Sequence, residues 1–161
     1  QEEVITMINI KENKLYINIK KRTKPTKYIV VHCSATQNLL KYTWKDIDAM
    51  HRAKGWACIG YHFVIRTDGT IERGRPLESI GAHAKGHNDE SIGICLIGGI
   101  DSKGHSVDNF TQAQKDSLRE LVGYLKDTYY PDAEVLGHRD LGAKKDCPCF
   151  DVREFLRCGS H

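Results

Sequence analysis

The 161-residue sequence lacks any apolar run approaching the length of a membrane span, so no transmembrane helix is expected. It lacks a strong charge of either sign. Its 24 Lys and Arg stand against 21 Asp and Glu, a formal +3, and the basic residues are scattered, which leaves no footprint for nucleic acid. The one basic run, "KKRTKPTK" at 20–27, reads first as a solvated linker and second as an anchor on an acidic polymer. A disulfide framework is also missing. Six cysteines are present, but the chain has too rich a core pattern to need staples. Cys33 and Cys95 lie inside apolar strands as small buried hydrophobes, and Cys58 and Cys158 carry no pattern. No signal peptide is visible, because "QEEVITMINIKENK" opens on acids and has no apolar stretch. The first residue is not methionine, which leaves room for a leader already removed. There is no internal repeat and no low-complexity segment.

What is present suits one domain with a single sizeable core. "VITMINIKENKLYINIK" reads as two alternating strands joined at the polar "KENK", a β-hairpin ahead of the main domain. Pro25 breaks the chain, and "YIVVH" at 28–32 follows as a strand. "TWKDIDAMHRAKG" predicts a helix capped by Thr43 and Asp46, with Trp44, Ile47 and Met50 as its apolar stripe and Gly55 as its stop. In "YHFVIRTDGTIER", Asp68-Gly69 supplies a hairpin turn between two β-prone runs. "SIGICLIGG" is nearly all apolar and predicts a central strand covered on both faces. Thr111 and Gln114 open the strongest helix, whose buried face is Leu118, Leu121, Val122, Leu125 and Tyr129. A strand at 134–137 and a short helix from Asp151 close the chain. The expected fold is α/β: one domain with a central mixed β-sheet flanked by helices, preceded by the N-terminal β-hairpin. Residues 1–27 form the extension and basic linker, 28–158 the domain, and 159–161, "GSH", read as the remnant of an added tail.

The chemistry gathers at strand ends. His32 ends the first main strand, His138 ends the last, and Cys147 follows in "KDCPCFD". Imidazole nitrogen and thiolate sulfur are zinc's preferred donors, and three of them plus an open position make a catalytic site. No short regular motif such as a paired CxxC is present, so spacing alone leaves these residues open to a bland reading as surface or core side chains. Tyr61 reads equally as a β-prone strand residue, and Lys145 beside Lys144 as part of a solvated loop. His62 falls on the opposite strand face and is read as non-catalytic. His51 and His105 are expected at the surface. Asp140 either orients an imidazole or caps a turn.

The stretches "VHCSAT", "GYHFVIRTDGTIERGR", "GAHAKGHNDESIGICLIGG", "FTQAQKDSLREL" and "KDCPCFD" together resemble the zinc-dependent N-acetylmuramoyl-L-alanine amidases, nearest to the phage lysozymes among them. Animal peptidoglycan recognition proteins share that fold. The resemblance covers roughly residues 28–156 in unbroken order. It implies a zinc at one end of a surface groove and hydrolysis of the amide between the lactyl group of muramic acid and L-alanine. It places the zinc ligands on His32, His138 and Cys147, and the catalytic residues on Tyr61 and Lys145. Tyr61 would hydrogen-bond the attacking water or the leaving nitrogen, and Lys145 would sit beside the developing oxyanion. His83 and Asn88 are the implied substrate contacts, Asn88 having a turn-capping role as its alternative. His87 stands where the phage relative has tyrosine. Cys149 stands where the family has a small residue and is expected to face away from the metal.

The function expected from this resemblance is a wall-lytic amidase of phage or prophage origin, with one Zn2+ per chain and peptidoglycan as its partner. It would be a monomer, made in the bacterial cytoplasm and acting at the wall, or exported if a leader has been removed. The competing class is a binding module that holds muropeptide without cutting it. Cys147 argues against that class, because the resemblance implies that non-catalytic relatives lack the ligand cysteine. A phage member also restrains its phage's RNA polymerase. The amino-terminal residues that serve this purpose do not match here, so RNA polymerase regulation is not carried over.

Overall fold

The almost unbroken apolar sequence at 91–96 needs cover on both faces, and the sheet is arranged around that need. The computed structural model describes residues 8–15, 18–143 and 146–158. Its strands are β1 (Ile10–Lys11), β2 (Tyr28–Cys33), β3 (Phe63–Ile65), β4 (Ile71–Arg73), β5 (Ser91–Leu96) and β6 (Glu134–Gly137). Its helices are α1 (Trp44–Ala53), α2 (Gln112–Thr128) and α3 (Val152–Arg157), with a 3-10 turn at His138–Leu141. They form one six-stranded sheet in the order β1-β4-β3-β5-β2-β6. Only β3 and β4 run antiparallel; the other neighbours are parallel, so the sheet is mixed. All of β5 is buried.

Alternation along the strands divides the core in two. Ile29, Val31 and Cys33 of β2, Phe63 and Ile65 of β3, and Ile92, Ile94 and Leu96 of β5 face α2. That helix returns Leu118, Leu121, Val122 and Leu125. Each such side chain contributes about 1.5–3 kcal/mol on burial. The Thr111–Gln114 capping box adds about 1 kcal/mol, so packing and not capping decides where α2 lies. The other face holds a smaller cluster of Ile47, Ile59, Val64, Cys95 and Ile97 beneath α1. His32 is the penultimate residue of β2, in register with Cys95, and it belongs to this thinner side.

Two expected core residues are not core. Met50 is 40% exposed, because α1 rests on the sheet through Ile47 and the partly buried Trp44. Tyr129 is 49% exposed, since α2 ends at Thr128 and the tyrosine leaves the helical face. Residues 4–7 and 16–17 of the expected N-terminal hairpin lie outside the described residues. Of that segment, β1 is described, and it extends the sheet edge by pairing parallel with β4. Among the described residues no helix is long and apolar enough to cross a membrane.

Candidate functional site

Three donors converge at the carboxyl ends of β2 and β6. His32 comes from β2, His138 from the start of the turn after β6, and Cys147 from the loop before α3. Because β6 pairs with β2 in parallel, their carboxyl ends lie side by side. The ligand atoms of His32, His138 and Cys147 all lie within 4.8 Å of one another. The His32 and His138 rings are 4.4 Å apart between centroids. The backbone N–H of Cys33 donates to Cys147 Sγ at 3.1 Å, which fixes the sulfur beside β2. His32 is 1% exposed, and burial followed by the neighbouring His83, His138 and His51 keeps its pKa well below the ordinary histidine value. A neutral imidazole is the form that can act as a ligand.

The donors open into a cleft of about 570 Å³. Tyr61 stands against His32, with ring centroids 5.0 Å apart. Burial, followed by the nearby Cys95, Cys147 and Cys33 thiols, raises its pKa well above the ordinary phenol value, so its hydroxyl keeps its proton. Lys145 lies outside the described residues. His83 lines the wall, buried, with Nδ1 2.8 Å from His32 Nε2. Asn88 caps its turn: its Oδ1 accepts from the backbone N–H groups of His83 and Ala84, both at 2.9 Å. Cys149 is outside the donor cluster. Its backbone is left-handed (φ 75°) and its thiol donates to Gly99 O at 3.5 Å. Asp140 caps the turn after β6 by accepting from Gly137 N at 2.8 Å.

The expectation that His51 is a surface residue is corrected. It is buried at the end of α1, and its Nδ1 accepts from Gly60 N at 2.8 Å. The polar environment of "MHRAKG" conceals this, because the loop at 59–61 folds back onto the last turn of the helix. His105 is exposed as expected. The same loop brings Trp56 to the rim, half-exposed and 4.5 Å from the His51 ring between centroids. Met50, Lys54 and Lys85 complete the rim, and none of the four carries a sequence signal for this role.

A larger cavity of about 780 Å³ lies elsewhere, between the N-terminal segment and the residues after α2. Its two arginines are held within the protein. Arg22 bonds Leu77 O and Tyr130, and Arg73 pairs with Glu12. No histidine or cysteine lines it among the described residues, so the chemistry belongs to the smaller cleft.

His62 is fully buried. Its Nδ1 accepts from Gly93 N at 3.0 Å, and its Nε2 donates to Ser79 O at 2.9 Å. One proton serves both bonds, so the ring is neutral, and burial pushes its pKa down from 6.5 to about 3. The unfolded chain therefore binds the extra proton between those values. His62 stabilises the fold fully above pH 6.5, and this contribution is lost as pH falls toward 3. Each pH unit inside that window removes about 1.4 kcal/mol. His32, His51 and His83 are shifted the same way by burial, so urea midpoints of chelator-treated protein should drop steadily between about pH 6.5 and pH 5, and less steeply in His62→Gln. A constant midpoint there would refute the assignment.

The family model for N-acetylmuramoyl-L-alanine amidase matches residues 22–150. The endolysin of Klebsiella phage KP32 is 44% identical over 134 residues, 83% of this chain and 87% of its own. The endolysin of Escherichia phage T7 is 44% identical over 135 residues, 84% of this chain and 88% of its own. Among solved structures, the N-acetylmuramoyl-L-alanine amidase LysC from Clostridium intestinale URNW superposes with a TM-score of 0.74 at 32% identity, covering 94% of this chain and 96% of its own.

Proposed function

The chain belongs to the N-acetylmuramoyl-L-alanine amidase family, and on that premise we propose that it is a zinc-dependent wall-lytic enzyme of the phage endolysin type. The scissile bond is the amide between N-acetylmuramic acid and L-alanine. The single observation that carries the reading is the convergence of His32, His138 and Cys147 at the base of an open cleft.

The donor set fits the ion. Two imidazoles and one thiol are zinc's usual partners, and His32, His138 and Cys147, with their ligand atoms within 4.8 Å of one another, would hold it. Three protein donors leave a position open toward the cleft, as a catalytic site requires. Held there, zinc supplies Lewis acidity toward a carbonyl oxygen and lowers the pKa of water from 15.7 to about 7.

The chain's own groups do the rest. Tyr61 keeps its hydroxyl proton and donates a hydrogen bond to the attacking water or to the leaving nitrogen. Lys145 sets a positive charge beside the oxygen that becomes anionic. Met50 and Trp56 give the rim apolar surface against which a sugar or peptide stem packs, and the wall carrying His83 and Asn88 faces the substrate. Made in the bacterial cytoplasm and acting at the wall, the enzyme needs no nucleic acid or membrane span.

No carboxylate lines the cleft among its described residues, whereas glycoside hydrolysis ordinarily relies on a pair. Digestion of purified peptidoglycan, followed by mass spectrometry, should therefore release peptides that begin with L-alanine and leave the glycan strands whole. New reducing ends without new amino groups would mean a glycosidase. Muropeptide bound but uncut would mean a recognition module.

A further inference from the structure

Beneath His32 runs a chain of buried polar groups, His83 and Ser91, whose hydrogen bonds are made within the protein. Ser91, fully buried at the start of β5, donates its hydroxyl proton to His87 O at 2.7 Å. A carbonyl oxygen can only accept, so the single hydroxyl hydrogen of Ser91 is committed there. What Ser91 Oγ has left is a lone pair, and His83 Nε2 lies 3.2 Å from it. His83 therefore carries its proton on Nε2 and presents a lone pair at Nδ1. That lone pair faces His32 Nε2 at 2.8 Å, so His32 in turn carries its proton on Nε2.

We infer that Ser91 and His83 are positioning residues that set the tautomer of His32, so that His32 offers Nδ1 as its metal-binding atom. The inference rests on the zinc reading above and deepens it. Direction along the chain is fixed at one end by a backbone carbonyl, which has no second state. A histidine whose far nitrogen is held by a hydrogen bond presents its near nitrogen as a pre-oriented lone pair.

The packing of His83 is built for this. A β-carbon on Gly81 would stand 2.6 Å from His83 Cδ2, and one on Gly93 would stand 2.7 Å from His83 Cγ. The ring thus lies against two residues that have no side chain, in space that a side chain at either position would take. Asn88 holds the backbone of His83 and Ala84 from the other side. The His62 and His83 rings meet edge to face, 5.8 Å apart between centroids, which closes the remaining flank.

Two readouts test the inference. Long-range proton–nitrogen correlation spectra of metal-free protein should show His32 and His83 both protonated at Nε2. A His32 protonated at Nδ1 would overturn it whether or not the site binds zinc. Zinc affinity, measured by competition with a chromophoric chelator, should fall about 10- to 100-fold in Ser91→Ala and in His83→Ala. In His83→Asn it should recover most of the way, because the amide oxygen of asparagine can accept near the place of Nδ1. Circular dichroism and urea midpoints identify any variant that has lost its fold. Equal affinity in the wild type and all three folded variants would overturn the inference and leave the zinc site standing. A wild type that takes up no zinc would sink the zinc reading, and the inference with it.

Discussion

Cys147→Ser is expected to lose both its metal and its wall-lytic activity. Cys147 is the only sulfur donor among the three clustered residues, and its position is fixed by the N–H of Cys33 at 3.1 Å. A hydroxyl is a far poorer zinc donor, and two imidazoles alone hold the ion weakly. Metal-ion catalysis is worth several kcal/mol of transition-state stabilisation, and each 1.36 kcal/mol is tenfold, so the fall in kcat/KM should be about a thousandfold or more. Elemental analysis should find about one equivalent of zinc in the wild type and none in the variant. Cys149→Ser is the control. Its thiol points to Gly99 O, so metal and activity should both persist. In cobalt-substituted protein the sulfur-to-metal absorption should correspond to one thiolate and be unchanged in Cys149→Ser. A Cys147→Ser protein that kept its metal and its activity would remove the basis of the assignment.

Lys145→Ala and Tyr61→Phe should each keep zinc and fold while losing about a hundred- to a thousandfold in rate, the usual cost of removing one electrostatic donor. Phenylalanine preserves the ring that packs beside His32, so the Tyr61 variant isolates the hydroxyl. Both losses should fall on kcat with KM little changed, because the interactions form only as charge develops. Steady-state kinetics on a soluble muropeptide separates the two constants. Zinc lost from Lys145→Ala would make the lysine a structural residue. Wild-type turnover in that variant would place it away from the reacting oxygen.

The parts of the fold that were legible in the sequence are those set by local chemistry. The Thr43–Asp46 and Thr111–Gln114 caps, the Asp68-Gly69 turn and the all-apolar β5 each carry their instruction within a few residues. His32, His138 and Cys147 were individually conspicuous, but their spacing could not join them; the shared motif order did. What escaped depends on contacts between distant segments. His51 looks like a polar helix residue until the 59–61 loop covers it, and Met50 fits a helical stripe until α1 is seen to rest on Trp44 and Ile47. Ser91 is hidden for the same reason. A serine opening an apolar strand has no visible partner until the His83 turn closes over it.

The pairing of β6 with β2 has an entropic consequence. Tyr28 meets Glu134 and Val31 meets Gly137, the widest sequence separation bridged by any strand pair in the sheet. Closing that span costs more conformational entropy than any other strand pairing in the sheet, though only by about 0.5 kcal/mol relative to β2 with β5, because the cost grows slowly with length. Two of the three donors ride on it or just beyond it. The cluster of His32, His138 and Cys147 is therefore complete only once this long-range pairing has been made.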